Sequence, residues 1–152
     1  MPEVVVRRAI MSDLDELAFL FDGYRQFYEQ NSDLAGGKAF LQERISRNES
    51  VILIAHVDGK PAGFTQIYPS FSSASMARIF VLNDLFVSPD ARNGGVGRRL
   101  LEAAANHGRS VGAIRLTLST GVINRPAQSL YESAGWKRDR KFCVYNLPLP
   151  RV

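Results

Sequence analysis

The 152-residue sequence has few of the side chains that form disulfides or metal centres. It contains one cysteine, Cys143, and two histidines, His56 and His107. A single cysteine cannot form a disulfide within the chain, and three scattered residues lack the spacing of a metal site. The sequence therefore predicts that no metal is bound, and a reducing cytoplasm is the expected compartment.

Long apolar runs are also missing. No stretch approaches the roughly 20 apolar residues that a membrane-spanning helix needs, and charges at Glu3, Arg7 and Arg8 come too early for a signal peptide. The composition is 45% hydrophobic and 22% charged, which is typical of a globular protein. We expect one domain over residues 1–152 and no contact with a membrane.

The charges that are present are distributed unevenly. The net charge is +4, but residues 1–50 hold nine acidic and six basic side chains, a net charge of −3. An acidic first third and a basic remainder suit a cationic substrate on one side and an anionic cofactor on the other. An ordinary solvated surface explains the same distribution equally well.

Hydrophobic periodicity predicts a mixed α/β fold, a sheet with helices packed on it. The order of elements is strand, two helices, three strands, helix, strand, helix, strand. Cys143 lies in the last predicted strand and is expected in the core. The strands are predicted at residues 4–6, 51–57, 61–68, 78–87, 114–118 and 142–147.

A glycine-rich turn lies between the fourth strand and the helix that follows it. The first N–H groups of a helix lack intrahelical partners, and the helix dipole favours an anion there. Glycine lets the backbone approach a phosphate closely, and an arginine adds a charge-assisted hydrogen bond. The turn therefore predicts a phosphate-bearing ligand, bound by Arg92, Asn93, Gly94, Gly95, Val96, Gly97 and Arg98.

Two common phosphate-binding patterns do not match this turn. A P-loop requires Gly-Lys-Ser/Thr, whereas Gly97 is followed by Arg98. The dinucleotide fingerprint requires a third glycine early in a βαβ unit, whereas this turn follows four predicted strands. The remaining pattern, Arg92-x-x-Gly95-x-Gly97, resembles the GNAT superfamily of N-acetyltransferases, whose signature is Arg/Gln-x-x-Gly-x-Gly/Ala after a strand that ends in valine.

A second segment extends the resemblance to almost the whole chain, from about Arg7 to Leu147. GNAT members show an asparagine and then a helix ending in Tyr-x-x-x-Gly-Phe/Trp, and Asn124, Tyr131, Gly135 and Trp136 match this pattern. The resemblance implies a mostly antiparallel sheet that splays around acetyl-coenzyme A, flanked by about four helices.

The resemblance also implies roles for individual residues. The phosphate turn would hold the pyrophosphate, and the backbone of Leu85 and Val87 would bind the pantetheine arm. Asn124 would orient the cofactor, and Tyr131 would protonate the coenzyme A thiolate. A tyrosine with a pKa of about 10 stays protonated at neutral pH and can donate that proton.

The sequence departs from the family pattern at the base that deprotonates the amine. Many relatives have glutamate where this chain has Asn83, which cannot act as a base. Asp84 is the remaining carboxylate, and strand alternation predicts that its side chain faces away from Asn83. Asp84 is our candidate catalytic residue, acting as the base directly or through water; the second alternative is that it only positions the amine. Uptake of an already neutral amine from solution is the third alternative.

The acceptor site is predicted on the first helix, where GNAT members form the acceptor pocket. Tyr24 and Tyr28 are one helical turn apart, in an arrangement similar to a subgroup that includes yeast histone, polyamine and D-amino-acid acetyltransferases. We expect direct transfer to a small cationic amine in a ternary complex. Family members often dimerise, so a homodimer is also expected.

Three alternatives stay open at this point. The chain could acetylate protein lysines or N-termini, or it could bind coenzyme A without catalysis, since Asn83 removes the usual base. A basic nucleic-acid binder is the third, and it predicts salt-dependent binding that is indifferent to Arg92 and Gly95. We expect no nucleic-acid partner, because the sequence contains no recognition motif for one.

Overall fold

The computed structural model describes residues 2–152, which form four α-helices and a five-stranded sheet. This architecture confirms the predicted mixed α/β class. Short 3₁₀ turns cover Met11–Asp13 and Pro89–Ala91. The elements are β1 (Val4–Arg8), α1 (Leu14–Phe27), α2 (Leu34–Ser46), β2 (Val51–Val57), β3 (Lys60–Ser72), β4 (Ala77–Val87), α3 (Val96–Ser110), β5 (Leu116–Thr117) and α4 (Arg125–Ser133).

The sheet follows the order β1-β2-β3-β4-β5 and is antiparallel except for its last pair. The parallel pairing of β4 with β5 covers only Phe80 and Val81. Beyond Val81, no strand of the described chain pairs with that edge of β4. The sheet therefore opens between β4 and β5, as the resemblance implies.

Apolar cores cover both faces of the sheet. Leu53 and Ala55 of β2 belong to the core on the α3 face. Ile52 and Ile54 belong to the core beneath α1 and α2. Because both faces are buried, β2 is a continuous apolar run and not an alternating one.

The predicted last strand at residues 142–147 is wrong. Residues 136–152 contain no helix or strand, and Cys143 is exposed, so the prediction that it lies in the core is also wrong. Phe142 is 79% exposed and Tyr145 is 93% exposed. A strand needs a sheet edge to pair with, and β5, with two residues, offers almost none.

Other predicted boundaries shift by a few residues. β3 continues to Ser72 through Pro69, which lies beyond the last residue of β3 paired with β2, Ile67. Proline is also tolerated opposite its partner in β4, Phe80, because the N–H groups of this pair point away from each other, as that of Phe80 does towards Arg115 O. The second helix starts at Leu34, where the Asp33 side chain accepts a hydrogen bond from the Gly36 N–H at 2.9 Å. Among residues 2–152, no helix is both long and apolar enough to cross a membrane.

Candidate active site

The glycine-rich turn forms an open N-terminus for α3. Asn93 has φ 65° and Gly95, the residue before the helix, has φ 79°. No side chain caps this helix, and its first backbone hydrogen bond runs from Arg99 N to Gly95 O at 3.1 Å. The N–H groups of residues 96–98 are therefore free of intrahelical partners, and an anion is favoured beside them.

The two glycines of the motif serve different purposes. At Gly95 the positive φ is the constraint, since an added Cβ would have no atom within 4 Å. At Gly97 the constraint is packing, since a Cβ would lie 3.2 Å from Leu130 Cδ2 of α4. Gly95 shapes the turn, whereas Gly97 lets α4 approach α3.

The two arginines that flank the turn lie in different places. Arg92 Nε donates to the Val87 carbonyl at 3.0 Å, and its guanidinium lies 5.8 Å from the Phe86 ring centroid. Arg98 donates to the Ser133 carbonyl at 2.8 Å and so ties α3 to the end of α4. The Arg92 side chain is thus beside the turn, while the Arg98 side chain is engaged elsewhere and only its backbone N–H belongs to the helix N-terminus.

A β-bulge interrupts β4 at Asn83. Gln66 of β3 pairs with Asp84 and Ile67 pairs with Leu82, so Asn83 is an extra residue. The predicted opposite orientation of Asn83 and Asp84 is wrong, because the bulge breaks the alternation of side chains. Asn83 Nδ2 instead donates to Asp84 Oδ1 at 2.8 Å.

The bulge also changes which backbone groups reach the open edge of the sheet. Before it, Phe80 N donates towards β5, and after it, Ser88 N donates to Ala62 O of β3. Backbone groups of successive strand residues point to alternate sides. Val87 and Leu85 therefore direct their N–H and C=O groups away from β3, to the unpaired edge.

Asp84 lies at the centre of a buried polar network. Its side chain is 2% exposed, and Oδ2 accepts a hydrogen bond from Gln66 Nε2 at 2.6 Å. Burial raises the pKa of Asp84 above its ordinary value, while the Asn83 and Gln66 side chains, which donate to the carboxylate, and the nearby Tyr24 hydroxyl act in the opposite direction. Gln66 was not among the predicted site residues, although a polar Thr65-Gln66 pair within an apolar strand signals a buried network.

Tyrosine side chains surround this carboxylate. The Tyr24 hydroxyl donates to the Asn83 carbonyl at 3.1 Å, and the Tyr24 and Tyr28 ring centroids are 5.1 Å apart. Burial, with Asp84 as the next contribution, raises the pKa of Tyr68 to about 12, and burial also raises the pKa of Tyr24. The predicted acceptor residues of α1 therefore lie on the same side of the sheet as the Asp84 carboxylate.

Helix α4 carries the other two predicted side chains. The Asn124 side chain caps α4 by accepting from the Ala127 N–H at 3.3 Å. Tyr131 is half-buried on the wall of a cavity of about 390 Å³ that Leu116, Leu118 and Trp136 also line. Burial raises the pKa of Tyr131, and the nearby Tyr28 contributes. Tyr28 is therefore near both Tyr24 and Tyr131.

Comparison with known proteins identifies the family of this chain. Residues 15–136 match the acetyltransferase (GNAT) family. The chain belongs to the GNAT family. A Bacillus subtilis (strain 168) relative, the uncharacterized N-acetyltransferase YhfO, is 52% identical over 145 residues, which covers 95% of this chain and 97% of that protein.

Two further comparisons point the same way. A probable acetyltransferase of Haemophilus influenzae is 30% identical over 141 residues, 90% of this chain and 92% of that protein. The crystal structure of a probable acetyltransferase with 41% identity superposes with a TM-score of 0.92, over 97% of this chain and 99% of that one. This GNAT chain is therefore an enzyme, an acyl-coenzyme-A-dependent N-acetyltransferase, as predicted.

His56 and Cys143 of this GNAT enzyme lie outside the hydrogen-bond network of Asp84. His56 contacts Glu16 at 2.9 Å between β2 and α1, and Cys143 is in the exposed C-terminal segment. Within residues 2–152, no three histidine, cysteine, aspartate or glutamate side chains are grouped as a metal site requires. The carboxylate and tyrosines beside the open edge are thus the groups available for acid–base chemistry there.

Proposed function

We propose that this enzyme transfers an acetyl group from acetyl-coenzyme A directly to the primary amine of a small cationic acceptor. The open edge of β4, which ends at the uncapped N-terminus of α3, is the observation that carries this proposal. Members of the GNAT family use acetyl-coenzyme A as the donor.

Acetyl-coenzyme A contains groups that suit both the open edge of β4 and the N-terminus of α3. Its pantetheine arm contains amides, which can pair as an added strand would with the backbone groups of Leu85 and with the Val87 N–H, while the Val87 carbonyl already accepts from Arg92 Nε. Its pyrophosphate fits the N–H groups at the start of α3, with Arg92 supplying positive charge. The cofactor site would comprise Leu85, Val87, Arg92, Asn93, Gly94, Gly95, Val96, Gly97, the Arg98 N–H and Asn124, which caps α4.

The proposed chemistry uses one base and one acid. Asp84 takes a proton from the acceptor ammonium, directly or through water, and the neutral amine attacks the thioester carbonyl. A C–N bond forms, the C–S bond breaks, and Tyr131 gives its proton to the departing thiolate. The raised pKa of Tyr131 supports the second role, because the hydroxyl stays protonated at neutral pH.

The surroundings of Asp84 support a cationic acceptor. A buried carboxylate with the rings of Tyr24, Tyr28 and Tyr68 nearby favours an ammonium group, because aromatic faces attract cations. The acidic excess of the first 50 residues gives less support. Several of those acids form ion pairs within the fold, including Asp13 with Arg7 at 2.7 Å and Glu49 with Arg44 at 2.9 Å.

A homodimer is part of this proposal. The C-terminal segment carries apolar side chains that are at least 79% exposed, among them Phe142, Val144 and Leu147. A second copy of the chain would remove such side chains from water.

The test is thiol release from acetyl-coenzyme A with spermidine, lysine peptides, D- and L-amino acids, and an aminoglycoside. We expect release with a small cationic amine and a fall in kcat/KM of about 10²- to 10⁴-fold in Asp84→Asn, the usual size of a general-base effect. Asp15→Asn is the matched control, since the Asp15 side chain, at the start of α1, is 85% exposed.

The remaining outcomes separate the alternatives. Release with lysine peptides alone would make the enzyme a protein acetyltransferase. Coenzyme A binding without release for any amine would support a non-catalytic binding module. Normal turnover by a folded Asp84→Asn protein would exclude Asp84 as the base.

A further inference from the structure

Three buried side chains form a line that ends at Asp84. Ser50 Oγ donates to Gln66 Oε1 at 2.7 Å, and Gln66 Nε2 donates to Asp84 Oδ2 at 2.6 Å. Ser50 precedes β2, while Gln66 and Asp84 lie on β3 and β4, so the line crosses the sheet from strand to strand. The three residues are 6%, 0% and 2% exposed.

We infer that Gln66, oriented by Ser50, is a positioning residue that keeps the Asp84 carboxylate ionised and fixed in direction for the acceptor amine. This inference rests on the proposed role of Asp84 as the base. Gln66 is fully buried, so it acts on the reaction through Asp84 and not by contact with a substrate.

Packing alone gives no reason for a glutamine at this position. A buried amide costs free energy unless both of its ends are hydrogen-bonded, whereas an apolar side chain of similar size would fill the same space without that cost. Here both ends are paired, one with Ser50 and one with Asp84. The Gln66 amide is therefore explained by its hydrogen bonds to Ser50 and Asp84 and not by packing.

The hydrogen bonds define the direction of the amide and of the carboxylate. An ionised carboxylate only accepts hydrogen bonds, so Gln66 must present its NH₂ group to Asp84. Its oxygen then faces Ser50, which has a hydroxyl to donate. Asn83 donates to the other oxygen of Asp84. Each carboxylate oxygen thus has one donor, and each retains a lone pair that can take a proton.

Removing the Gln66 donor has a predictable effect on proton uptake. Hydrogen bonds to the ionised form lower the pKa of Asp84 against the effect of burial, so losing one raises that pKa. The base works only when ionised. Activity is therefore present above the pKa of Asp84 and is lost as pH falls through it. The acid limb of the pH profile should move to higher pH.

The other titratable groups around Asp84 do not move the acid limb of the pH profile. Tyr24 faces it from α1 and Tyr68 faces it from β3, while Tyr28, just after α1, packs against Tyr24. Because the pKa values of Tyr24 and Tyr68 are raised, these hydroxyls stay neutral across the acid limb. Farther out, beside Tyr68, Arg44 and Glu49 pair with each other at 2.9 Å.

The decisive variant is Gln66→Met, which keeps the approximate size of the side chain and removes the donor. We expect the midpoint of the acid limb of the kcat/KM profile to move about one to two units to higher pH, the typical effect of one hydrogen bond to a charged group. Activity should recover at higher pH. The Asp84 carboxyl carbon, followed by ¹³C NMR in the same variant and assigned with Asp84→Asn, should titrate at a correspondingly higher pH.

Thr65→Val is the matched control. Thr65 is as buried as Gln66 and is its neighbour on β3, and its Oγ1 donates at 2.7 Å to the backbone carbonyl of Asp84 and not to its carboxylate. We expect this variant to lose thermal stability without moving either midpoint. Equal shifts in Thr65→Val and Gln66→Met would show general loosening of the sheet and would overturn the inference.

Further outcomes separate the inference from the proposed function. An NMR shift in Gln66→Met without acetyl transfer by any form of the enzyme would defeat the proposed function and leave the control of Asp84 ionisation standing. Unchanged midpoints in folded Gln66→Met would overturn the inference. If Gln66→Met does not fold, Ser50→Ala replaces it, with a smaller shift in the same direction expected and no shift counting against the inference.

Discussion

At the scale of single residues, Asp84 and Tyr131 are held in ways that suit opposite proton transfers. Asp84 accepts hydrogen bonds on both carboxylate oxygens, which supports its ionised form against the effect of burial. Tyr131 is half-buried, and its pKa is raised, which supports its protonated form. An acid and a base with different environments are what direct acyl transfer to an ammonium requires.

Replacement of Tyr131 by phenylalanine tests the acid. We expect kcat to fall by about 10²-fold or more with little change in KM, because the hydroxyl acts only as the thiolate departs. Steady-state thiol release with saturating acetyl-coenzyme A measures this. Tyr145→Phe, at a tyrosine that is 93% exposed in the C-terminal segment, is the matched control. An unchanged kcat in Tyr131→Phe would remove this residue from the mechanism.

At the scale of elements, helix α3 is bracketed by two glycines with the same backbone conformation. Gly95 precedes the helix and Gly112 follows it, each with φ 79° and no atom within 4 Å of an added Cβ. An alanine introduces the same backbone strain at either position. Only Gly95 belongs to the proposed pyrophosphate turn.

This pair separates cofactor binding from stability. We expect Gly95→Ala and Gly112→Ala to lower the thermal midpoint to a similar extent, because alanine is disfavoured at positive φ. Only Gly95→Ala should raise the Kd for coenzyme A, by about tenfold or more, since it reshapes the turn that presents the N–H groups. Titration calorimetry of both variants checks this. Equal Kd values would argue against a phosphate at this turn.

Elements differ in how far their local sequence predicts them. The phosphate turn could be predicted because its glycines, its arginine and the helix that follows are adjacent in the chain. The bulge at Asn83 could not, since it depends on how β4 pairs with Gln66 and Ile67 of β3. The same pairing brings Gln66 to Asp84, 18 residues away in sequence. Residues 142–147 have strand-like alternation but no sheet edge to join.

At the scale of the whole molecule, the bulge and the opening of the sheet act together. The pairing with β5 ends at Val81, and the bulge at Asn83 then turns the backbone groups of Leu85 and Val87 to the free edge. Asp84, between Asn83 and Leu85 in the chain, faces Tyr24 of α1. The proposed cofactor and acceptor sites therefore meet at one short part of β4, where the acetyl group would pass between them.

The exposed C-terminal segment leads to a prediction about assembly. Tyr145 and Leu147 are 93% and 83% exposed, and burying such side chains against a second copy would be favourable. We expect sedimentation equilibrium to give twice the mass of the 16.9 kDa chain. The double variant Tyr145→Ser/Leu147→Ser should shift the equilibrium to monomer. Met76→Ser, at a 91% exposed residue of the β3–β4 turn, should not. A monomeric wild-type protein at all concentrations would contradict the homodimer, because the apolar segment would then remain in water without a partner.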